Sequence, residues 1–297
     1  MEVTGSRIVT YRDKQAEFSL YNVADIHWGN RGCAKGLLKR EIDQIKHDPY
    51  ALFIGGGDYI DAIFPGDPRF DPEAIGDDIL VKDLSHIAAL LVDNLAQLFI
   101  PIVPRCLGWC YGNHELKYMT RTSQMFLHEE FCSDLSIPNM RYSGWMDIYF
   151  VHRPRQRYPM KMVVSMEPPE SYDASLRVYI NHGIGAATTA GGKINALKKL
   201  VDITYDADLV IMGHVHEQFA KAFTRLTPDA TCTAIRERVT MGMISGSYLR
   251  TYGPDHTSYG EQRGYPPTTM GATRARYKPS EFTLIVENKA NGVGRPK

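Results

Sequence analysis

Cysteine is scarce, charge is balanced, and no long hydrophobic run is free of charge. The five cysteines (Cys33, Cys106, Cys110, Cys132, Cys232) are odd in number and thinly spread, which excludes a disulfide framework and fits a reducing cytoplasm. Cys106 and Cys110 have no second Cys/His pair at finger-like spacing, so buried free thiols are expected rather than a zinc finger. With 34 basic and 34 acidic side chains, bulk electrostatics alone cannot coat nucleic acid. The most apolar stretch, residues 79–102, carries Lys82, Asp83, His86, Asp93 and Asn94, so a membrane span there would have to bury several charges. Residues 1–14 are polar and show no apolar leader core, so no secretion is expected. There are no low-complexity tracts and no repeats of roughly 20–50 residues, which removes solenoids and propellers. What is present, 297 residues of which 43% are hydrophobic, reads as one large globular domain or one domain with an extension.

Hydrophobic periodicity predicts strands at 18–24, 50–54, 102–107, 147–151, 162–165, 177–180 and 209–212, and helices at 36–46, 79–99, 119–131 and 194–201. In 36–46, Leu37, Leu38, Ile42 and Ile45 share one face; in 79–99, Leu84, Ile87, Leu91, Leu95 and Leu98 form one stripe. Strands alternating with helices predict an α/β layered domain with a mixed sheet. Beyond about residue 246, Gly, Pro, Thr and Tyr dominate up to a strand-like 282–287 and a polar tail at 288–297. The expected organisation is a core over 1–245 and a C-terminal extension over 246–297 that packs on the core and ends in a flexible tail.

Five short polar motifs follow the predicted strands: Asp25-Ile26-His27-Trp28-Gly29, Gly57-Asp58-Tyr59-Ile60-Asp61, Gly112-Asn113-His114-Glu115, Asn181-His182-Gly183 and Gly213-His214-Val215-His216. Loops at the strand ends of α/β sheets gather ligands. Asp, His and Asn offer nitrogen and hard oxygen donors without thiolate, a set suited to Mn²⁺, Zn²⁺ or iron. The i, i+2 spacing of Asp25/His27 and His214/His216 fits an extended strand end that turns Ile26 or Val215 to the core, and the flanking glycines allow close backbone approach. Gly191-Gly192-Lys193 looks like a phosphate loop, but Ala187 and Ile194 stand where the pattern needs Gly and Ser or Thr, so it reads as a helix N-terminus. His47, His86, His128, His152 and His256 lie outside these motifs.

In this order the five motifs resemble the signature of the calcineurin-like metallophosphoesterase superfamily, D-x-H, G-D-x-x-D, G-N-H-[DE], H and G-H-x-H, over residues 25–216. The resemblance implies a four-layer α-β-β-α sandwich of two mixed sheets flanked by helices, the metallophosphatase fold. It implies one metal held by Asp25, His27 and His216, a second held by Asn113, His182 and His214, and Asp58 bridging both. It further implies that His114 serves as general acid toward the leaving oxygen or stabilises the phosphoryl transition state, with Glu115 orienting it or a neighbour. Two divalent cations, Mn²⁺ foremost with Zn²⁺ or iron as alternatives, would activate a bridging water and stabilise an in-line displacement. Asp61 would either steady an imidazole from behind or cap its own loop.

The superfamily covers many phosphoesters on one core, so the substrate must be read from what varies. Members resembling serine/threonine protein phosphatases carry an arginine in G-D-x-V-D-R-G, whereas this chain has Ala62 in that place. Its first motif, D-x-H-x-G, resembles the repair-nuclease and phosphodiesterase branches. Residues 1–140 hold 13 Lys and Arg against 20 Asp and Glu, while 218–297 hold 12 against 6. In that basic end Arg250, Arg263, Arg274 and Arg276 interleave with Tyr248, Tyr252, Tyr259, Tyr265 and Tyr277, a mixture able to grip phosphates and stack on bases, or to form a solvated face. A second basic cluster, His152 to Arg157, is expected in a loop. Residues 259–270 resemble the tail of bacteriophage-encoded members. The expected activity is that of a dinuclear metal-dependent phosphodiesterase acting on DNA, RNA or nucleotides, in the cytoplasm and away from membranes. The alternative is a phosphomonoesterase in which Arg31 or Arg121 replaces the missing clamp. A non-catalytic scaffold has no need of the full ligand set.

Overall fold

The computed structural model describes residues 1–62, 67, 70–185, 187–253 and 257–287; His256 and the polar tail at 288–297 lie outside the described residues. The chain runs β1 (Glu2–Tyr11), β2 (Phe18–Val23), α1 (Lys35–His47), β3 (Ala51–Gly56), α2 (Ile87–Phe99), β4 (Cys106–Cys110), α3 (Asn113–Thr122), α4 (Leu127–Asp134) and β5 (Asn139–Arg141). It continues through β6 (Ser143–His152), β7 (Met160–Ser165), β8 (Ala174–Asn181), α5 (Ala190–Ile203), β9 (Leu209–Met212), β10 (Phe219–Pro228), β11 (Ile235–Ile244), α6 (Tyr259–Gln262), β12 (Thr273–Lys278) and β13 (Thr283–Glu287). Two sheets result, one ordered β10-β11-β9-β8-β6-β1-β7 and the other β13-β12-β2-β3-β4-β5. Both are mixed: β2, β3 and β4 run parallel, as do β8 and β9, while β6–β8 and β10–β11 pair antiparallel.

The period-2 alternation of the strands builds four layers. Phe18 and Leu20 of β2, Leu52 and Ile54 of β3, Val178 and Ile180 of β8, and Leu209 and Ile211 of β9 fill the space between the sheets. The intervening Tyr21, Val23, Ala51 and Phe53 face outward, onto Leu38, Ile42 and Ile45 of α1 and Leu91, Leu95 and Phe99 of α2. On the far side Tyr179, Val210 and Met212 pack against Leu197, Leu200 and Val201 of α5. Each side chain so enclosed contributes about 1.5–3 kcal/mol relative to exposure. The layered sandwich implied by the motifs is thus present.

Several elements differ from the periodicity reading. The helix expected at 119–131 is two, because Ser123 adopts a left-handed conformation (φ 59°) that ends α3. The helix expected from residue 79 becomes α-helical only at Ile87, following a 3₁₀ turn at Val81–Ser85. The strand expected at 102–107 starts at Cys106; Ile100–Arg105 is a 3₁₀ turn, since Pro101 and Pro104 supply no N–H to a ladder. Ile87–Arg105 is long and apolar enough to cross a membrane by length and composition, yet Ile87, Leu91, Leu95, Phe99 and Ile102 lie in the core. Strand β1 escaped the periodicity because its residues are mostly polar. Its Arg7 is fully buried, donating to the carbonyls of Leu107 (2.6 Å) and Thr4 (2.7 Å). The β10–β11 hairpin and β12, which pairs antiparallel with β2, were also unannounced. All five thiols are free and only Cys232 is exposed.

Candidate metal centre

The five motifs meet at the carboxyl ends of β2, β3, β4, β8 and β9. Among the described residues, ten non-glycine positions have positive φ, and five are in these loops: Asp25 (55°), His27 (49°), Asp58 (47°), His214 (70°) and His216 (51°). Each such conformation costs about 1 kcal/mol or more, and a fold keeps it where it aims a functional group. Glycine makes the crowding tolerable. A Cβ on Gly112 would lie 2.0 Å from Asp58 Oδ1, and one on Gly57 (φ 91°) would lie 2.6 Å from His182 Nδ1.

The donors gather into three overlapping groups, each with its ligand atoms within 4.8 Å of one another: Asp25, His27 and His216; His27, Asp58 and His114; Asp58, His182 and His214. His216 Nε2 stands 3.2 Å from Asp25 Oδ1 and 3.4 Å from His27 Nε2. His182 Nε2 stands 3.3 Å from Asp58 Oδ2 and 3.2 Å from Asn113 Oδ1. Asp58 occupies the seam between the groups. The sequence-predicted residues therefore come together in three overlapping groups, two of which contain Asp58, with Asn113 beside His182. Such a donor set, oxygen and imidazole without sulfur, fits two divalent cations.

The remaining atoms of these side chains are held from behind. His182 Nδ1 donates to the Gly56 carbonyl (2.8 Å), which leaves Nε2 free to face a metal. His214 is turned the other way, its Nε2 donating to the Gly185 carbonyl (2.8 Å) and leaving Nδ1. His214 N–H donates to Asp25 Oδ2 (2.9 Å), and His114 N–H to Asp58 Oδ1 (2.8 Å). Asp61 serves two imidazoles together, with Oδ1 3.2 Å from His114 Nδ1 and 3.6 Å from His27 Nδ1, while Oδ2 accepts from Asn30 Nδ2 at 2.6 Å. Asn30 went unnoticed in the sequence; its place five residues after Asp25 is no recognisable signal. Glu115 is fully buried, and its carboxylate accepts the backbone N–H groups of Asp58 (3.0 Å), Ile60 (3.0 Å) and Gly112 (2.7 Å). It clamps the loops after β3 and β4 together.

The field in the site favours added positive charge. Burial alone would raise the Asp58 carboxyl, but His182, His114 and His27 together pull it well below the usual carboxylate range. Burial alone would likewise lower His182, but the Asp58 carboxylate carries it up to about 10. An imidazole held that basic marks a place where a cation is wanted, and a divalent ion supplies what the proton otherwise would. Burial also pushes Glu115 up to about 7, with Asp58 adding to the effect and the backbone N–H donors opposing it.

These groups floor a cavity of about 480 Å³. Among the described residues its Lys and Arg lining residues are Lys117, Lys193 and Arg250; of these, Arg250 belongs to the basic stretch read as able to grip phosphates. Lys193 pairs with Glu217 at 2.8 Å, and α5 begins behind it with Thr189 capping Gly192 N–H (3.3 Å), so that run is a helix N-terminus as its residues suggested. Arg31 and Arg121, the candidate replacements for a phosphate clamp, do not line the cavity: Arg31 pairs with Asp77 at 2.6 Å and Arg121 pairs with Asp67. In the basic C-terminal stretch Arg274 pairs with Glu287, Arg276 with Glu17 and Glu287, and Tyr248 and Tyr277 are buried.

The profile of the calcineurin-like phosphoesterase family matches residues 18–218. Among solved structures, the chain is similar to a conserved uncharacterized protein, a predicted phosphoesterase, from Streptococcus pneumoniae TIGR4 (9% identity, 88% of this chain and 83% of that chain covered, TM-score 0.28). It is also similar to a double mutant of Vps29 from Entamoeba histolytica (11% identity, 91% and 100% covered, TM-score 0.30). No curated relative matches it.

Proposed function

The chain belongs to the calcineurin-like phosphoesterases, metal-dependent phosphoester hydrolases, and from that premise we propose that it cleaves phosphodiesters of nucleotides or nucleic acid. The observation that carries this reading is the charge of the cavity. A phosphomonoester dianion calls for an arginine fork beside the metals; position 62 is alanine, Arg31 and Arg121 pair with carboxylates outside the cavity, and Arg250 is the one arginine among the described lining residues. A diester monoanion needs less.

In this reading Asp25, His27 and His216 hold one ion, Asn113, His182 and His214 hold the other, and Asp58 serves both. Mn²⁺ suits the set best, with Zn²⁺ or iron as alternatives. The ions, when bound, supply charge neutralisation of the phosphate and a water of lowered pKa. His114 presents Nε2 to the site and keeps Nδ1 on Asp61, so it can deliver a proton to the leaving oxygen as the water oxygen forms its bond to phosphorus and the ester P–O bond breaks. Glu115 acts as a positioning residue through the loops that carry Asp58 and Asn113. The few, unpaired cysteines support a reducing cytoplasm as its setting.

Mn²⁺-dependent hydrolysis of bis(4-nitrophenyl) phosphate and of 4-nitrophenyl phosphate, measured side by side, tests the reading. Faster diester cleavage that falls roughly a thousandfold in Asp58→Asn supports it. A monoester preference replaces it with the phosphomonoesterase alternative.

A further inference from the structure

The ligand loops form only the floor of the cavity. One wall comes from the stretch preceding and entering α2, where Ile75, Ile79, Ile87 and Leu91 line the space; another comes from the C-terminal segment, through Leu249, Thr251, Tyr265 and Pro266. Neither stretch carries a metal-ligand motif, yet both are tied to the loop that follows Asp25. Ile75 bridges Asn30, Gly76 N–H donates to the Gly29 carbonyl (2.8 Å), and Leu249 bridges Cys33. The C-terminal wall is braced internally as well. Thr268 Oγ1 donates to the Leu249 carbonyl (2.8 Å), Tyr252 Oη to the Tyr265 carbonyl (2.8 Å), and Ser258 Oγ to the Thr251 carbonyl.

An aliphatic wall facing a mixed wall of Leu249, Thr251, Tyr265 and Pro266 above so polar a floor does nothing for metal binding. The two walls match a substrate whose phosphate reaches the floor and whose ester group is flat and apolar-faced. A volume of about 480 Å³ falls within the range of small-molecule sites, about 300–1,000 Å³. The charge agrees. A polynucleotide strand needs a run of cations along its path, but Arg274 and Arg276 are spent on Glu287 and Glu17, and Lys193 on Glu217. Lys117, one turn past Asn113 on α3, and Arg250 supply local positive charge on the scale of a single phosphate.

We infer that the substrate is a small phosphodiester of mononucleotide size bearing one flat ring, seated between the isoleucine wall and the C-terminal wall. This rests on the phosphodiesterase reading above and narrows it from nucleic acid to small diesters.

The test measures competition against bis(4-nitrophenyl) phosphate hydrolysis by the Mn²⁺-loaded full chain, using dimethyl phosphate, thymidine 5′-(methyl phosphate) and a single-stranded thymidine oligomer. The ring-bearing ester is expected to inhibit at roughly thirtyfold lower concentration than dimethyl phosphate, from the apolar area that one ring buries. Ile75→Ala and Leu249→Ala, both at partly exposed positions and both checked for folding by thermal melting, are each expected to shrink that ratio by roughly three- to tenfold. Equal inhibition by the two small esters, with diester turnover intact, overturns the inference and leaves the phosphodiesterase standing. An oligomer that binds more tightly per phosphate than the mononucleotide ester also overturns it, in favour of a strand. Turnover of monoesters alone removes the phosphodiesterase reading and this inference with it.

Discussion

The two halves of the candidate metal centre differ in their oxygen donor, Asp25 against Asn113, and in how their imidazoles are anchored. His182 and His214 are held by backbone carbonyls, those of Gly56 and Gly185, whereas His27 and His114 both face a single carboxylate, Asp61. A backbone anchor survives any substitution that leaves the loop in place. A carboxylate anchor is one mutation from loss, and it also contributes charge that a carbonyl lacks. The His182 half is therefore the durable one, and the Asp61 half is where affinity and protonation can be tuned.

Breaking this asymmetry has the largest expected effect. Asp61→Asn keeps the shape and removes the charge behind His27 and His114, so activity should fall about 10- to 100-fold, and dialysed protein should retain one ion of two by elemental analysis. Retention of both ions at unchanged affinity would show that the Asp61 half is held by something else.

A smaller change sharpens the comparison. The C-terminal segment rests on the same half: Tyr248 N–H and Ser247 Oγ both donate to the Asp25 carbonyl (2.9 Å each), and Thr269 N–H donates to that of His216 (3.3 Å). Tyr248 is fixed in turn by its hydroxyl, which donates to the buried Glu41 carboxylate. Tyr248→Phe leaves Glu41 with the Ala272 N–H donor (3.1 Å) and should lower stability by about 2 kcal/mol in denaturant titration. If the segment steadies the Asp25 loop, the same variant weakens binding of one ion and spares the other; equal weakening of both would detach the segment from that role.

How much of this was legible follows from where each determinant lies. The candidate ligands were readable because each sits within a few residues of a glycine and of another donor, a dense local pattern. Their convergence followed from strand order, since β2, β3 and β4 are parallel and open at one end. The cavity walls were not readable, because they depend on contacts such as Glu41–Tyr248, 207 positions apart, between residues of ordinary type. Lys117 became visible only when the fold turned it to the cavity, and the fold singled out Arg250 from the basic stretch that contains it. The helix read at 119–131 failed because periodicity alone cannot see that Ser123 takes a left-handed turn. Strand β1 was hidden by its polar residues and by Arg7, whose charge argued for the surface although carbonyls satisfy it inside.

The smallest effect comes from a histidine outside the ligand set. His128 is as buried as His27 and His182 but sits among neutral groups: Tyr59 Oη at 3.2 Å from Nδ1, and the Trp109 carbonyl at 3.2 Å and Cys132 Sγ at 3.4 Å from Nε2, with Asn139 beside it. Burial pushes it down from 6.5 to about 4, with the Trp109 carbonyl opposing only in part. Where His182 beside a carboxylate is made more basic, His128 without one is kept neutral. The unfolded chain then binds a proton at His128 below about pH 6.5 while the folded chain does so only below about pH 4, so its contribution is intact above 6.5 and is lost as pH falls through that window. Between pH 7.5 and 5.5 the loss is roughly 1 kcal/mol. Denaturant titrations of wild type and His128→Gln at both values isolate it, because acid sensitivity of the metal centre is common to the two proteins and cancels in their difference. A wild-type stability that falls no faster than the variant's would mean that His128 is already charged in the folded state.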